Sequence, residues 1–304
     1  SLIVVGAGAI CVEFADFYAS MGTKVTVIEM LDRILPVEDK DISDALFKHY
    51  KKAGWDIRTS TTTTAVEKTA NGVKVTIAPF ANGKADDSKK ETLEADRILL
   101  AVGVVGRTDG LCDASLGLKI DRGHIVTDYI PGKPRAEASD YKTNLEGLYA
   151  VGDVIGPPWL AHVAMEEAVT CVERLAWKKD PKKHHEPYPI DYTVIPGCTY
   201  CLPQVASVGF TEQQLIAEGK VKDKDYSVGK MPFQAHGKAI AAAHTEGLIK
   251  LIRGLPRGEI LGCHIMGDQA TELIAEMTLA RRLEATTEEI IATIHAHPTM
   301  HEAM

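Results

Sequence analysis

The 304 residues are 45% hydrophobic, enough to bury more than one core, so two or three domains are expected. A formal net charge of -8, with no block of lysines and arginines, excludes a sequence-independent grip on nucleic acid or anionic lipid. No apolar run approaches the roughly 20 residues that span a bilayer, and six scattered cysteines are unlike the framework of a small secreted scaffold, which points to a reducing compartment.

The chain opens inside an apolar strand, Leu2 to Val5, without the charged and apolar regions of a secretory signal. A helix is predicted from Ala9 to Met21, stopped by Gly22, and a second strand from Lys24 to Ile28, together a βαβ unit. Ile42, Ala45, Leu46, His49 and Tyr50 recur at helical spacing, with Gly54 past the end. Thr61 to Val66 and the alternating Val73 to Ile77 read as strands beside a polar turn at Asn82-Gly83. A buried parallel strand is expected from Arg97 to Val102, within an apolar run that lasts to Val105. Residues 1–105 thus read as an open α/β sheet. Residues 106–187 centre on Gly147 to Asp153, read as a strand ending in a glycine and an acid, with a helix from about Ala161 to Trp177. A charged linker, Lys179 to Pro187, precedes residues 188–304, where short strands and two late helices, Thr271 to Leu283 and Thr287 to His295, read as α+β.

Gly6-Ala7-Gly8-Ala9-Ile10-Cys11 falls between a strand and a helix. The first glycine permits a tight turn, the second lets backbone approach a pyrophosphate, and the helix N-terminus attracts that anion. An acid about 20 residues on is present as Glu29, where a carboxylate accepts hydrogen bonds from a ribose diol and repels a 2′-phosphate, favouring NAD over NADP. Cys11 stands in the third glycine position. Val151-Gly152-Asp153 offers a carboxylate either to a second nucleotide's sugar chain or to a capping turn. In His295-Ala296-His297-Pro298-Thr299-Met300-His301-Glu302, an imidazole with a carboxylate five residues on suits a base held by an orienting acid; metal binding and a solvated tail are the alternatives. Cys198-Thr199-Tyr200-Cys201 lacks the second cysteine pair of a four-thiolate zinc site, so two half-buried strand cysteines are expected there.

Gly6-Ala7-Gly8-Ala9-Ile10 with Val12-Glu13, Glu29, Ala101-Val102-Gly103, Tyr149 to Asp153, Leu160-Ala161-His162, Cys198-Thr199-Tyr200 and His295 to Thr299 together closely resemble the dihydrolipoamide dehydrogenase family, over essentially the whole chain. The resemblance implies a Rossmann-like NAD domain (1–105), the remainder of a central FAD domain (106–187) and an interface domain that forms a homodimer (188–304). It implies oxidation of dihydrolipoamide through a cysteine pair and FAD to NAD, in the service of the acyltransferase subunit of 2-oxo-acid dehydrogenase complexes. It further implies that His297 is the acid/base and Glu302 its orienting acid. Gly6, Gly8, Ile10, Glu13, Glu29 and Gly103 belong by this resemblance to the NAD site, and Asp153, Leu160, Ala161 and His162 to the FAD site. The family's own FAD glycine motif and Cys-x-x-x-x-Cys pair have no counterpart here, so the expectation is a fragment trimmed at both ends and inactive alone. Cys11, Val163 and His301 also depart from the family pattern. Bacterial cytoplasm or mitochondrial matrix is the implied compartment. Another disulfide reductase of the superfamily, or a non-catalytic NAD-binding dimerisation module, is the competing reading.

Overall fold

The computed structural model describes residues 1–129 and 139–304, which form two compact units: 1–102 with 196–304, and 103–195. In chain order the first unit begins with β1 (Leu2–Val5), α1 (Ala9–Ser20), β2 (Val25–Ile28), α2 (Lys40–Lys52) and β3 (Asp56–Arg58). It continues with β4 (Thr61–Lys68), β5 (Val73–Ala81), β6 (Lys84–Ala85), β7 (Glu91–Ala95) and β8 (Arg97–Leu100). β1, β2, β3 and β8 make a parallel sheet in the order β3-β2-β1-β8, while β4 to β7 form a separate antiparallel meander. β1 is buried along its whole length, as a central parallel strand covered on both faces must be. The expected strand beyond Leu100 does not form. Among the described residues no neighbouring strand continues past Leu100 to receive hydrogen bonds, and Val102 and Val105 are 75% and 69% exposed.

The second unit contains β9 (Ile120–Asp121), β10 (His124–Ile125) and α3 (Ala161–Lys179). Arg122 and Gly123, both at positive φ, turn the β9-β10 hairpin. The expected strand from Gly147 to Asp153 is absent among the described residues. Tyr149 makes one isolated bridge to Lys142, and Gly152–Ile155 coil into a 3-10 turn, since no adjacent strand offers a ladder. Ile125, Tyr129, Tyr141, Ala150, Ile155 and Cys171 form its core. Inside it Tyr192 donates to Glu167 Oε1 at 2.7 Å, and Glu167, 2% exposed, accepts from Gly152 N at 2.6 Å.

The first unit resumes with β11 (Gly197–Thr199), β12 (Gln204–Gly209), α4 (Glu212–Ala217), β13 (Tyr226–Pro232), α5 (Gly237–Ala241), β14 (Leu248–Gly254), β15 (Ile260–Gly267), α6 (Ala270–Arg282) and α7 (Thr287–Ala292). The five strands pair antiparallel in the order β11-β12-β15-β14-β13, and α6 buries Leu273, Ile274 and Met277. α7 is shorter than its periodicity predicts: Thr293 is extended and ends it three residues before the expected His295. Only Cys198 of the cysteine pair lies in a strand; Cys201 is 1% exposed and packs in the core shared by β1, α2, β12 and β15. Tyr50 and Trp55 stack in that same core, with ring centroids 3.8 Å apart.

Candidate functional site

The chain leaves β1 through Gly6 at φ +102, where a Cβ would meet Cys11 Sγ at 2.8 Å and the Ala101 carbonyl oxygen at 3.0 Å. Both conformation and space demand glycine there. Gly8 is the N-cap of α1, no side chain caps it, and open space surrounds the point where its Cβ would stand. The first-turn N–H groups therefore face outward at the positive end of a 12-residue helix, the arrangement that receives a diphosphate. Ile10, on the same turn, is 47% exposed.

Glu29 follows β2 directly and is 7% exposed. Its Oε2 accepts from Ala7 N at 2.7 Å and its Oε1 from Leu31 N at 2.7 Å. The carboxylate is thus tied to the glycine turn itself, and each oxygen keeps a further lone pair for a hydroxyl donor.

Cys11 is 1% exposed, and its Sγ donates to the carbonyl of Ala101 at 3.1 Å. Burial first, and then the charge of Glu29, push the thiol up to about 11. The third glycine position is therefore filled by a neutral thiol that bridges the helix to the chain just past β8.

Glu13 Oε1 accepts from Tyr200 N at 2.7 Å, and Asp16 Oδ2 accepts from Leu202 N at 3.0 Å. Two acids three residues apart on α1 therefore hold the β11-β12 connection, which presents Tyr200 at 70% exposure. The i, i+3 spacing of the two acids is the one local signal of this tie in the sequence, and it equally fits a solvated helix face. Burial raises the Cys201 thiol to about 12 and raises that of Cys198 as well. No cluster among the described residues has the make-up of a metal site.

In the second unit Gly103 sits at φ +157 with open space at its Cβ position. Gly152, at φ +75, lets α3 approach so closely that a Cβ would lie 3.0 Å from that of Ala164. Asp153 is exposed at the start of the 3-10 turn. Leu160 is the N-cap of α3, which has neither a side-chain cap nor an acid in its first turn, and Ala161 and His162 are exposed on that turn. Glu167, which supports Gly152 from α3, escaped sequence reasoning, because a lone glutamate on a helix resembles a solvated one.

At the C-terminal end His297 is 82% exposed and its Nδ1 lies 2.8 Å from Glu302 Oε1. Glu302 Oε2 accepts from Thr299 N at 2.9 Å, within a capped 3-10 turn over Met300–Ala303 rather than a solvated tail. The Thr299 N–H, and then His297, hold the Glu302 carboxyl below its ordinary range. An ionised Glu302 can only accept, so Nδ1 is the donor and the Nε2 lone pair is turned to solvent.

Two stretches match family models: residues 1–168 match pyridine nucleotide-disulphide oxidoreductase, and residues 195–304 match the dimerisation domain of the same group. The chain belongs to the pyridine nucleotide-disulphide oxidoreductase family. It is 45% identical to a dihydrolipoyl dehydrogenase from Rhizobium etli, over 100% of this chain and 58% of that protein. It is 39% identical to one from Corynebacterium glutamicum, over 100% and 60%. A mitochondrial dihydrolipoyl dehydrogenase from Pisum sativum is 37% identical, over 100% and 55%. The crystal structure of LpdA from Mycobacterium tuberculosis superposes with a TM-score of 0.80 at 26% identity, covering 99% of this chain and 59% of that one. The fold is also that of the flavoprotein disulfide reductase RclA from Escherichia coli, with a TM-score of 0.82 at 24% identity over 99% and 62%. Membership in this oxidoreductase family implies FAD and a pyridine nucleotide as cofactors, and the dimerisation domain supports a homodimer. No helix among the described residues is long and apolar enough to cross a membrane.

Proposed function

We propose that these 304 residues are the NAD-binding (1–105), central (106–187) and interface (188–304) portions of a dihydrolipoamide dehydrogenase. The whole protein oxidises dihydrolipoamide carried on the acyltransferase subunit of a 2-oxo-acid dehydrogenase complex, using a redox disulfide, FAD and NAD. Its proposed compartment is bacterial cytoplasm or mitochondrial matrix, a reading supported by relatives of bacterial and mitochondrial origin. The observation that carries the reading is the pair of bonds from Glu29 to Ala7 N and Leu31 N, which stations a carboxylate at the Gly6 turn.

The residues fit both nucleotides. The N–H groups at Gly8 and Ile10 receive the NAD diphosphate, and the free lone pairs of Glu29 receive the adenosine ribose hydroxyls, where a 2′-phosphate would meet like charge. Gly103 and Glu13 complete this group by family position. Asp153 takes a hydroxyl of the flavin's sugar chain, and the uncapped α3 terminus at Leu160, Ala161 and His162 supplies N–H donors to that cofactor. Bound FAD supplies two-electron transfer between thiol and nicotinamide.

His297 does the proton chemistry. Its Nε2 takes the proton of a dihydrolipoamide thiol, and the thiolate so formed, the true nucleophile, attacks one sulfur of the disulfide, making a mixed disulfide as the old S–S bond breaks and the other sulfur leaves as a thiolate. Glu302 keeps the ring oriented and steadies the imidazolium. No two cysteines of this chain are five positions apart, so the disulfide belongs to a segment beyond these residues.

Calorimetry of the purified chain with NADH and NADPH tests the nucleotide reading. NADH is expected to bind at least about tenfold more tightly, the worth of one charge-assisted hydrogen bond; no NADH heat, or tighter NADPH binding, refutes it. The same sample is expected to lack flavin absorbance and dihydrolipoamide turnover, because half of the flavin site and the disulfide lie elsewhere. A yellow, active preparation would overturn that part.

A further inference from the structure

We propose that Glu276, on α6, is a positioning residue that clamps the His297 segment at both ends. No residue from Ile291 to Thr299 is buried, and Ile294 is 97% exposed, so this stretch has almost no apolar anchorage of its own. Its neighbours are better held: Ile290 and Met300 are 8% and 3% exposed. The bonds that organise the dyad, from Glu302 to His297 and to Thr299, tie the stretch to the turn over Met300–Ala303, whose Met300 and Ala303 are buried, but they do not hold its other side around His295.

Glu276 holds that side. One carboxylate oxygen lies 2.7 Å from His295 Nε2 and the other 3.9 Å from His301 Nε2. The two imidazole planes are 12° apart, with centroids 6.5 Å from each other. A single side chain on a rigid helix therefore grips the residue two before His297 and the residue directly before Glu302. Leu273, Ile274 and Met277 root that helix in the core, so the carboxylate itself is well located. Glu276 thus contacts one residue close in sequence to the imidazole and one next to its orienting acid, and their mutual geometry depends on both contacts. His301 is thereby assigned a purpose, although at its distance the contact is an ion pair made when the ring is protonated and not a direct hydrogen bond.

The clamp matters to catalysis only if His297 is the acid/base proposed above, but its geometry is testable on the chain alone. Long-range 1H–15N correlation spectra report which nitrogen of neutral His297 carries the proton. In the wild type the Nδ1–H tautomer, locked by Glu302, is expected to dominate. Glu276→Ala leaves Glu302 and the buried face of α6 intact, yet should lower the ratio of Nδ1–H to Nε2–H at His297 by at least about threefold. Glu276→Gln keeps an oxygen acceptor for His295 and should recover most of that ratio. Thermal melts check that both variants fold. An unchanged ratio in Glu276→Ala overturns the proposal, as does equal loss in Glu276→Gln. NADH heats on the same samples separate the two readings. They are expected to match wild type in both variants, and their loss in Glu276→Ala alone would mark general damage and sink the positioning role. A wild type without NADH heat fails the nucleotide reading, whatever His297 does.

Discussion

At the residue scale, the glycine turn shows how one position can depart from a motif and still serve it. A third glycine normally lets helix and strand approach; here Cys11 fills the gap and converts steric room into a thiol–carbonyl contact at Ala101. Burial, and then the charge of Glu29, make the thiol inert by keeping it protonated, with a pKa of about 11. Cys201 and Cys263, both pushed up to about 12, are masked in the same way, while Cys112 is exposed. Iodoacetamide at pH 8 is therefore expected to label exposed Cys112 well ahead of Cys11, which burial both shields from the reagent and keeps protonated. Peptide mass spectrometry against time reads this directly, and equal rates would show that the turn opens.

At the element scale, the N-terminus of α2 meets the five-stranded sheet through charge. Lys250 on β14, 1% exposed, lies 2.8 Å from Asp39, 2.6 Å from Asp41 and 2.7 Å from Glu212. Lys230 also reaches Asp41 at 2.8 Å, and Lys222 reaches Glu212 at 3.1 Å. Burial alone raises the Asp39 carboxyl, but Lys250 and the N–H groups of Glu212 and Asp41 outweigh it and leave the pKa below its ordinary value. For Asp41 and Glu212 burial again acts upward, and the lysines prevail. Carboxyls depressed on folding stabilise the protein above their unfolded pKa of about 4 and lose that contribution as pH falls through the folded value. Glu38, next to this cluster, behaves oppositely: burial and the charge of Asp39, against a hydrogen bond from Ser207, push it up to about 7. A raised carboxyl stabilises fully below its unfolded pKa of about 4.3 and loses that contribution as pH rises towards 7. Buried His264, its pKa lowered chiefly by burial, acts the other way over the same range, so the Glu38 share is read by difference: relative to wild type, Glu38→Gln is expected to be less stable at pH 5 than at pH 8. Scanning calorimetry that finds the same pH 5 to pH 8 difference in the variant would count against this account.

At the scale of the whole molecule, the segment that matches a dimerisation domain leaves large aliphatic side chains uncovered. Leu279 and Leu283 are 60% and 69% exposed, Ile291 81% and Ile294 97%. A partner copy that covers these side chains would remove their apolar area from water. Ile294→Asp, at a side chain 97% exposed in the single chain, is expected to weaken self-association at least about tenfold, because a buried charge without a partner is costly. Sedimentation velocity over a concentration series measures this, and an unaltered dimer would place the interface elsewhere.

The parts legible in the sequence are those governed by neighbours along the chain. The β1-turn-α1 unit, Glu29 at the end of β2, α2, and the His297–Glu302 pair all depend on period, glycine conformation and spacings of a few residues, and each was predicted near its observed place. Apolar runs overstate strands where a partner is lacking: β8 stops at Leu100, and among the described residues Gly147 to Val151 pair at one bridge, because a strand exists only through its neighbour. The thiol contact of Cys11, the hold of Glu13 on Tyr200, the Lys250 cluster and the grip of Glu276 on two histidines join residues that are as much as 211 positions apart. Such partners are chosen when the chain closes on itself, so local periodicity carries no trace of them and only the tertiary structure decided them.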